Sequence, residues 1–255
     1  MRLAVGAFWL ATAFAASLAF AQTAPDKRRS GYQDMSPPIQ AMQDDDGANP
    51  AMLWVQEGET LWSKPAGAAN LSCTTCHADG LKGVAARYPA YAPALARPVD
   101  LQGRIDLCRT LHQKAPPFAA ESRDLLALTA FVAKQSRGLP IQPPVDTRLD
   151  AARKSGEALF RARIGQLNLS CAQCHDDNAG QKLAAVAIPQ GHPTGYPIYR
   201  LEWQAMGSLK RRLRNCMIGV RAESFDYSAP EYVALELYLM KRAEGMKFDA
   251  PGVRP

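Results

Sequence analysis

A five-residue pattern, Cys-x-x-Cys-His, occurs twice in this chain of 255 residues, at positions 73–77 and 171–175. In such a pattern both thiols can add to the vinyl groups of a haem, and the adjacent histidine can bind the haem iron. A zinc site would need a second pair of ligands at finger-like spacing, which neither copy supplies. A thioredoxin-like redox pair needs no histidine and opens a βαβ unit, which neither copy predicts. The sequence therefore predicts two covalently bound haem c groups.

The first 21 residues have the features of an export signal. Arg2 provides a basic start, residues 3–20 form an apolar run without charge, and Ala19-Phe20-Ala21 makes a small-x-small cleavage site. The alternative is a retained membrane anchor, because the apolar run is just long enough to span a bilayer. Polar residues follow Ala21 at once and no later segment is as apolar. We therefore expect a signal peptide at 1–21 and a mature protein in the periplasm without a membrane span.

Composition adds limits on partners and order. Hydrophobic residues make up 47% of the chain, enough for a folded core. The net charge is +6, but an exported protein is not expected to have a nucleic-acid partner. Residues 22–50 are polar and include an acidic run at 44–46. They predict a weakly ordered arm, which either packs on a partner or is a solvated tail.

An internal repeat organises the rest of the chain. With a shift of 98 residues, segment 58–79 aligns with 156–177, including both Cys-x-x-Cys-His patterns. Further on the shift becomes 108, where Arg104 meets Arg212 and Cys108 meets Cys216, and then 107. Residues 121–137 and 230–244 both have apolar side chains at helical spacing and end near a glycine.

Prolines at 140, 143 and 144 interrupt any helix between the two halves and mark a linker. The sequence thus predicts a mainly α protein with two tandem cytochrome c-like domains. We place the first at residues 51–145 and the second at 146–255.

The two remaining cysteines, Cys108 and Cys216, occupy matching positions in the repeat. Cytochromes c often use methionine as the sixth iron ligand, but the first domain has no methionine after its motif. His112 and His192 do not match in the repeat. We therefore predict that Cys108 and Cys216 are distal thiolate ligands, which would give both haems low potentials. A disulfide between them, or two inert thiols, is the alternative.

The surroundings of the two cysteines differ. Cys216 follows the basic run 210–214, whereas Cys108 has only Arg104 and Arg109 nearby. Cationic neighbours keep a sulfur anionic and attract anionic substrates. Arg212 would lie one helical turn before Cys216 and could present paired donors to an oxyanion. Because Arg104 has the same relation to Cys108, Arg212 could instead bind a haem propionate.

The segment from Arg212 to Glu223, together with the two upstream motifs, resembles the SoxA family. Its members are the cytochrome subunits of the SoxAX complex of bacterial thiosulfate oxidation. The resemblance covers essentially the whole mature chain. It implies the following ligand sets: Cys73, Cys76, His77 and Cys108 for the first haem, and Cys171, Cys174, His175 and Cys216 for the second. It also implies that Cys216 is the catalytic residue, present as a persulfide, and that Arg212 contacts substrate.

The activity implied by this resemblance is that of an L-cysteine S-thiosulfotransferase. Thiosulfate would be joined oxidatively to a cysteine of the carrier SoxYZ. Two electrons would pass to the haem subunit SoxX and then to a soluble cytochrome c. The competing interpretation is a plain dihaem electron carrier in which Cys216 is only an axial ligand.

Overall fold

The computed structural model describes residues 26–184 and 186–255, so the predicted signal peptide lies outside the described residues. Within those ranges the α-helices are α1 (Pro37–Asp44), α2 (Met52–Ser63), α3 (Leu101–Cys108), α4 (Arg123–Lys134), α5 (Asp150–Arg161), α6 (Leu209–Gly219) and α7 (Pro230–Arg242). The short strands are β1 (Ala90–Ala92), β2 (Arg97–Val99), β3 (Lys182–Leu183), β4 (Val186–Ala187), β5 (Ile198–Arg200), β6 (Ala205–Gly207) and β7 (Gly252–Arg254). None of the helices described is long and apolar enough to cross a membrane.

The helices confirm the prediction of two tandem, mainly α domains. Helices α2 and α4 pack together in the first domain, as α5 and α7 do in the second. Each pair crosses at a glycine in the first helix. A Cβ atom added at Gly58 would lie 2.1 Å from the carbonyl oxygen of Ala127, and one at Gly156 would lie 1.9 Å from that of Ala234. The glycines therefore let the two backbones of each pair come into direct contact.

A tight turn follows the first helix of each domain. Gly67 and Asn70 have φ values of 65° and 50°, and Gly165 and Asn168 have 68° and 50°. Glycine and asparagine tolerate this left-handed region better than other residues do. The turn returns the chain directly to the Cys-x-x-Cys-His segment, as these residues predict.

The strands differ between the domains. Hairpins β1–β2 and β5–β6 correspond, but β7 adds to β5 in parallel and makes a three-stranded sheet. A second difference is the hairpin β3–β4, which lies between the second motif and β5. The repeat shift grows from 98 to 108 residues in this interval, so this hairpin belongs to a ten-residue insertion.

The two domains share one core. A buried cluster combines Trp62, Leu128 and Val132 of the first domain with Met240 and Phe248 of the second. The linker contributes to this cluster, because Ile141 is fully buried and its N–H donates to the carbonyl oxygen of Met246 at 2.8 Å. The linker therefore packs between the domains rather than separating them.

The described part of the N-terminal arm is ordered on the second domain, unlike the weakly ordered segment that its composition predicts. Gln43 is buried in α1, and its Oε1 accepts hydrogen bonds from Val253 N at 2.9 Å and Arg254 Nη1 at 2.6 Å. Asn49 Nδ2 donates to the carbonyl oxygen of Pro251 at 3.3 Å. Polar side chains order this arm because they satisfy buried backbone groups of β7.

Candidate functional site

Both Cys-x-x-Cys-His segments begin with a serine that fixes the turn. Ser72 N–H donates to Thr75 Oγ1 at 3.3 Å, and Ser170 N–H donates to Gln173 Oε1 at 2.9 Å. These reciprocal side-chain bonds are typical of a helix start. They hold the two cysteines and the histidine of each motif on a single turn.

His175 of the second motif is oriented as an axial metal ligand requires. Its Nδ1 lies 2.7 Å from the carbonyl oxygen of Pro189, so Nδ1–H donates and Nε2 keeps a free lone pair. Metal-binding histidines commonly use their other ring nitrogen in this way. Pro189 lies in the region of the ten-residue insertion. Gly191 packs close to the ring, since a Cβ added there would lie 3.3 Å from His175 Cγ.

Cys216 and His175 line the same cavity. The space free of protein atoms in it, including the part open to solvent, is about 1100 Å³. Cys171 is in the cavity wall, and apolar side chains supply much of the rest: Phe160, Leu213, Leu235 and Leu239. An imidazole nitrogen, a thiol for thioether formation, a second sulfur and apolar walls together match what a haem c needs. The donor set and the cavity therefore fit this cofactor.

The electrostatic surroundings of Cys216 favour a thiolate. Burial alone raises the pKa of this thiol, but the facing His175 ring and the charges of Arg212 and Arg200 bring it below its ordinary value. Burial lowers the pKa of His175, and its interactions with Cys216 and the Pro189 carbonyl more than reverse that effect. Arg212 therefore stabilises negative charge on the Cys216 sulfur.

Among the cations of the run 210–214, only Arg212 lines this cavity. The other three have partners elsewhere: Lys210 pairs with Asp100 at 2.8 Å, and Arg211 and Arg214 stack over the rings of Trp203 and Tyr227 at 4.1 and 4.6 Å. The basic run is therefore not one solvated face. A single member of it is directed at the sulfur site.

The corresponding group in the first domain is less polarised. His77 stacks on Trp62, with ring centroids 5.7 Å apart. Burial raises the pKa of Cys108, and Arg104 only partly offsets this. Cys108 thus lies beside its own motif, close to Cys76, whereas Cys216 faces His175. All six cysteines are free thiols, so the structure contains no disulfide between Cys108 and Cys216.

The alternative sixth ligands considered for the second domain have other contacts. Met217 is buried against the hydroxyl group of Tyr232, and Met206 packs in a core cluster with Trp54. His192 lines the cavity, but its Nδ1 is 2.8 Å from the carbonyl oxygen of Arg29. In the first domain His112 is exposed.

Three cavity residues were missed by sequence reasoning. Tyr196 precedes β5, Arg200 ends it, and Arg254 is in β7. The change of shift from 98 to 108 reveals an insertion before β5, but the parallel pairing of β5 with β7 joins positions 54 residues apart. No local pattern announces that pairing. These residues return below as a candidate anion site.

The fold and the two motif-based sites define a protein of tandem cytochrome c-like domains, with haem c as its cofactor. The family model described as SoxA/TsdA, cytochrome c domain, matches residues 57–141 and again 155–248. The chain belongs to the SoxA family.

Individual relatives support this assignment. The L-cysteine S-thiosulfotransferase subunit SoxA of Rhodovulum sulfidophilum is 33% identical over 232 residues, covering 90% of this chain and 81% of that protein. The protein of the same name from Pseudaminobacter salicylatoxidans is 34% identical over 233 residues, covering 90% and 82%. The crystal structure of SoxXA from P. pantotrophus superimposes with a TM-score of 0.85 at 28% identity, covering 89% of this chain and 87% of the other.

Proposed function

We propose that this chain is the catalytic subunit of a SoxAX complex, which oxidatively conjugates thiosulfate to a cysteine of the SoxYZ carrier. The relatives are named as subunits of this transferase. The observation that carries the proposal is the single open cavity lined by Cys216, His175 and Arg212. It combines a sulfur nucleophile, a haem-binding histidine and a cation for an anionic substrate.

Two haem c groups are proposed, each attached by thioether bonds. In the first, Cys73 and Cys76 would hold the porphyrin, with His77 and Cys108 as axial ligands. In the second, the corresponding set is Cys171, Cys174, His175 and Cys216. Haem iron, when bound, would accept electrons one at a time.

The reaction forms one S–S bond. A carrier thiol and the thiosulfate dianion give a cysteine S-thiosulfonate monoanion, with the release of one proton and two electrons. We place the bond-forming step at Cys216, whose sulfur would join the outer sulfur of thiosulfate as two electrons leave. The carrier thiolate would then attack that outer sulfur and displace Cys216 as a thiolate, as in thiol–disulfide exchange.

Arg212 would act on the substrate in this scheme. Its guanidinium group can donate paired hydrogen bonds to sulfonate oxygens while its charge stabilises the Cys216 thiolate. Electrons would pass to SoxX and then to a soluble cytochrome c. We place the mature protein in the periplasm, after removal of a signal peptide at 1–21, with an arm at 22–50 and domains at 51–145 and 146–255.

The contribution of Arg212 can be measured against its counterpart in the first domain. We expect Arg212→Gln to raise the KM for thiosulfate roughly 10–100-fold, since a hydrogen bond to a charged group is worth about 1.5–3 kcal/mol. Arg104→Gln should leave this KM nearly unchanged. Steady-state conjugation to SoxYZ by the haem-loaded complex, followed by reduction of cytochrome c, gives both values.

Haem potentials distinguish the other role of this arginine. If Arg212 binds a propionate and not thiosulfate, both glutamine variants should shift the midpoint potential of their own haem. The KM for thiosulfate would then be unaffected. That result would remove Arg212 from the substrate site.

The competing function is a plain electron carrier, in which Cys216 is only a ligand and the nearby cations form a docking surface. Such a protein would keep turning over with other electron donors after Cys216 is replaced. The open cavity on the Cys216 side favours a substrate-binding enzyme.

A further inference from the structure

The two haem domains are not equivalent in their arginines. With the 108-residue shift, Arg212 has the counterpart Arg104, so an arginine at this position does not distinguish Cys216 from Cys108. Arg200, at the end of β5, corresponds instead to Ala92 at the end of β1. Among the described residues, the first domain also has no strand that matches β7, which contains Arg254. Arg200 and Arg254 are therefore features of the second domain alone.

These two arginines are neighbours by strand register. Arg200 and Arg254 are directly paired positions on the parallel strands β5 and β7. Paired positions on adjacent strands place their side chains on the same face of the sheet. Both residues line the cavity that contains Cys216 and Arg212. Arg254 is 8% exposed, and the side chain of Arg200 is 13% exposed.

Two buried cations at paired positions destabilise a sheet unless something neutralises them. The partners of Arg254 Nη1 are neutral, namely Gln43 Oε1 and the carbonyl oxygen of Val253, each at 2.6 Å. In the described part of the chain no carboxylate lies within 4.0 Å of Arg254.

Arg200 is also incompletely neutralised. Its Nε is 2.9 Å from Glu202 Oε1, but the N–H is not directed at that oxygen and makes no hydrogen bond within the described residues. Glu202 itself is half exposed, so solvent screens its charge. Burial lowers the pKa of both arginines, and their mutual repulsion adds to this effect. The pair thus has unused capacity for a buried anion.

We propose that Arg200 and Arg254 form a second anion subsite that binds the sulfonate oxygens of thiosulfate, so that the outer sulfur faces Cys216. This inference rests on the proposed function, and it makes Arg200 and Arg254 specificity-determining residues for a dianionic substrate. Haem propionates are present in both domains of the proposed protein, whereas this arginine pair is present in one. The pair therefore accounts for the restriction of thiosulfate chemistry to the second domain.

The test uses the full haem-loaded complex with Arg200→Ala, Arg200→Lys and Arg254→Lys. The control is Arg163→Ala, which removes an equal charge from an exposed position of the second domain outside the cavity. Binding of inorganic sulfate, an unreactive dianion, is measured by calorimetry. The KM for thiosulfate and the haem midpoint potentials are measured on the same preparations.

We expect Arg200→Ala to weaken sulfate binding and raise the KM for thiosulfate, each roughly 10–100-fold, with kcat little changed. Arg200→Lys should restore part of the loss, because lysine keeps the charge without the planar pair of donors. Arg254→Lys should weaken binding while preserving the charge next to Gln43. Arg163→Ala should bind sulfate as the parent complex does.

Unchanged sulfate affinity and thiosulfate KM in the Arg200 and Arg254 variants would overturn the subsite. A shifted potential of the second haem with unchanged anion binding would instead assign the pair to a propionate and would equally overturn it. Failure of the proposed function has a different signature. The parent complex would then bind sulfate through Arg200 but would not conjugate thiosulfate to SoxYZ.

Discussion

Replacement of Cys216 by alanine is expected to lower the rate of thiosulfate conjugation to SoxYZ on the order of 10³-fold or more. Losses of this size follow removal of a group that bonds covalently to substrate. Cys108→Ala, the matched change in the first domain, should have a far smaller effect, because Cys108 lacks the open cavity with paired arginines. The measurement is the carrier adduct formed per unit time by each haem-loaded complex.

Two further readings make this experiment decisive. Both variants should retain haem, since the thioether bonds do not involve Cys108 or Cys216. Loss of the thiolate should raise the midpoint potential of the haem concerned. A Cys216→Ala protein that still conjugates thiosulfate at a rate near that of the parent would contradict the assignment of Cys216 as catalytic. It would favour the electron-carrier interpretation.

The second large effect is expected on stability. Gly156→Ala should lower the free energy of unfolding by about 3 kcal/mol or more, at the upper end of what overpacking costs. The added Cβ would lie 1.9 Å from the Ala234 carbonyl oxygen and 2.4 Å from its carbon. These are backbone atoms, so helices α5 and α7 must separate to accommodate the methyl group. The haem site between them and α6 would be disturbed as well.

A glycine in the same domain provides the control. Gly219 ends α6, has no positive φ, and would bring an added Cβ within 4 Å of no other atom. Gly219→Ala should therefore be neutral or slightly stabilising, by up to about 1 kcal/mol. Denaturant unfolding of the haem-loaded variants measures both. Equal stability of the two variants would show that the α5–α7 contact is not as close as the structure places it.

Much of this fold could be predicted because the chain repeats itself. Shifts of 98, 108 and 107 residues relate the helices of the two domains, and they pair Cys108 with Cys216 without any structural information. The predicted segments 121–137 and 230–244 contain α4 and α7. Helical periodicity and glycine positions are local signals, which explains why they can be read from one sequence.

What could not be predicted depends on contacts between distant segments. The order of the N-terminal arm comes from Gln43 and Asn49, which bind backbone groups about 200 residues away. Ile141 lies in a proline-rich linker but is fully buried between the domains. Arg254 becomes part of the cavity only because β7 pairs with β5. The basic run 210–214 showed a charge asymmetry, but its sequence did not show that Arg212 alone among its cations enters the cavity.

The most direct test of the account is peptide mass spectrometry of the matured complex, before and after incubation with thiosulfate and an oxidant. The account predicts additional sulfur, or a thiosulfate-derived mass, on the Cys216 peptide and none on the Cys108 peptide. Such a result would establish a covalent sulfur site in the second domain. An unmodified Cys216 under all conditions, in a protein with both haems attached, would contradict the proposal that this cysteine forms a bond with substrate.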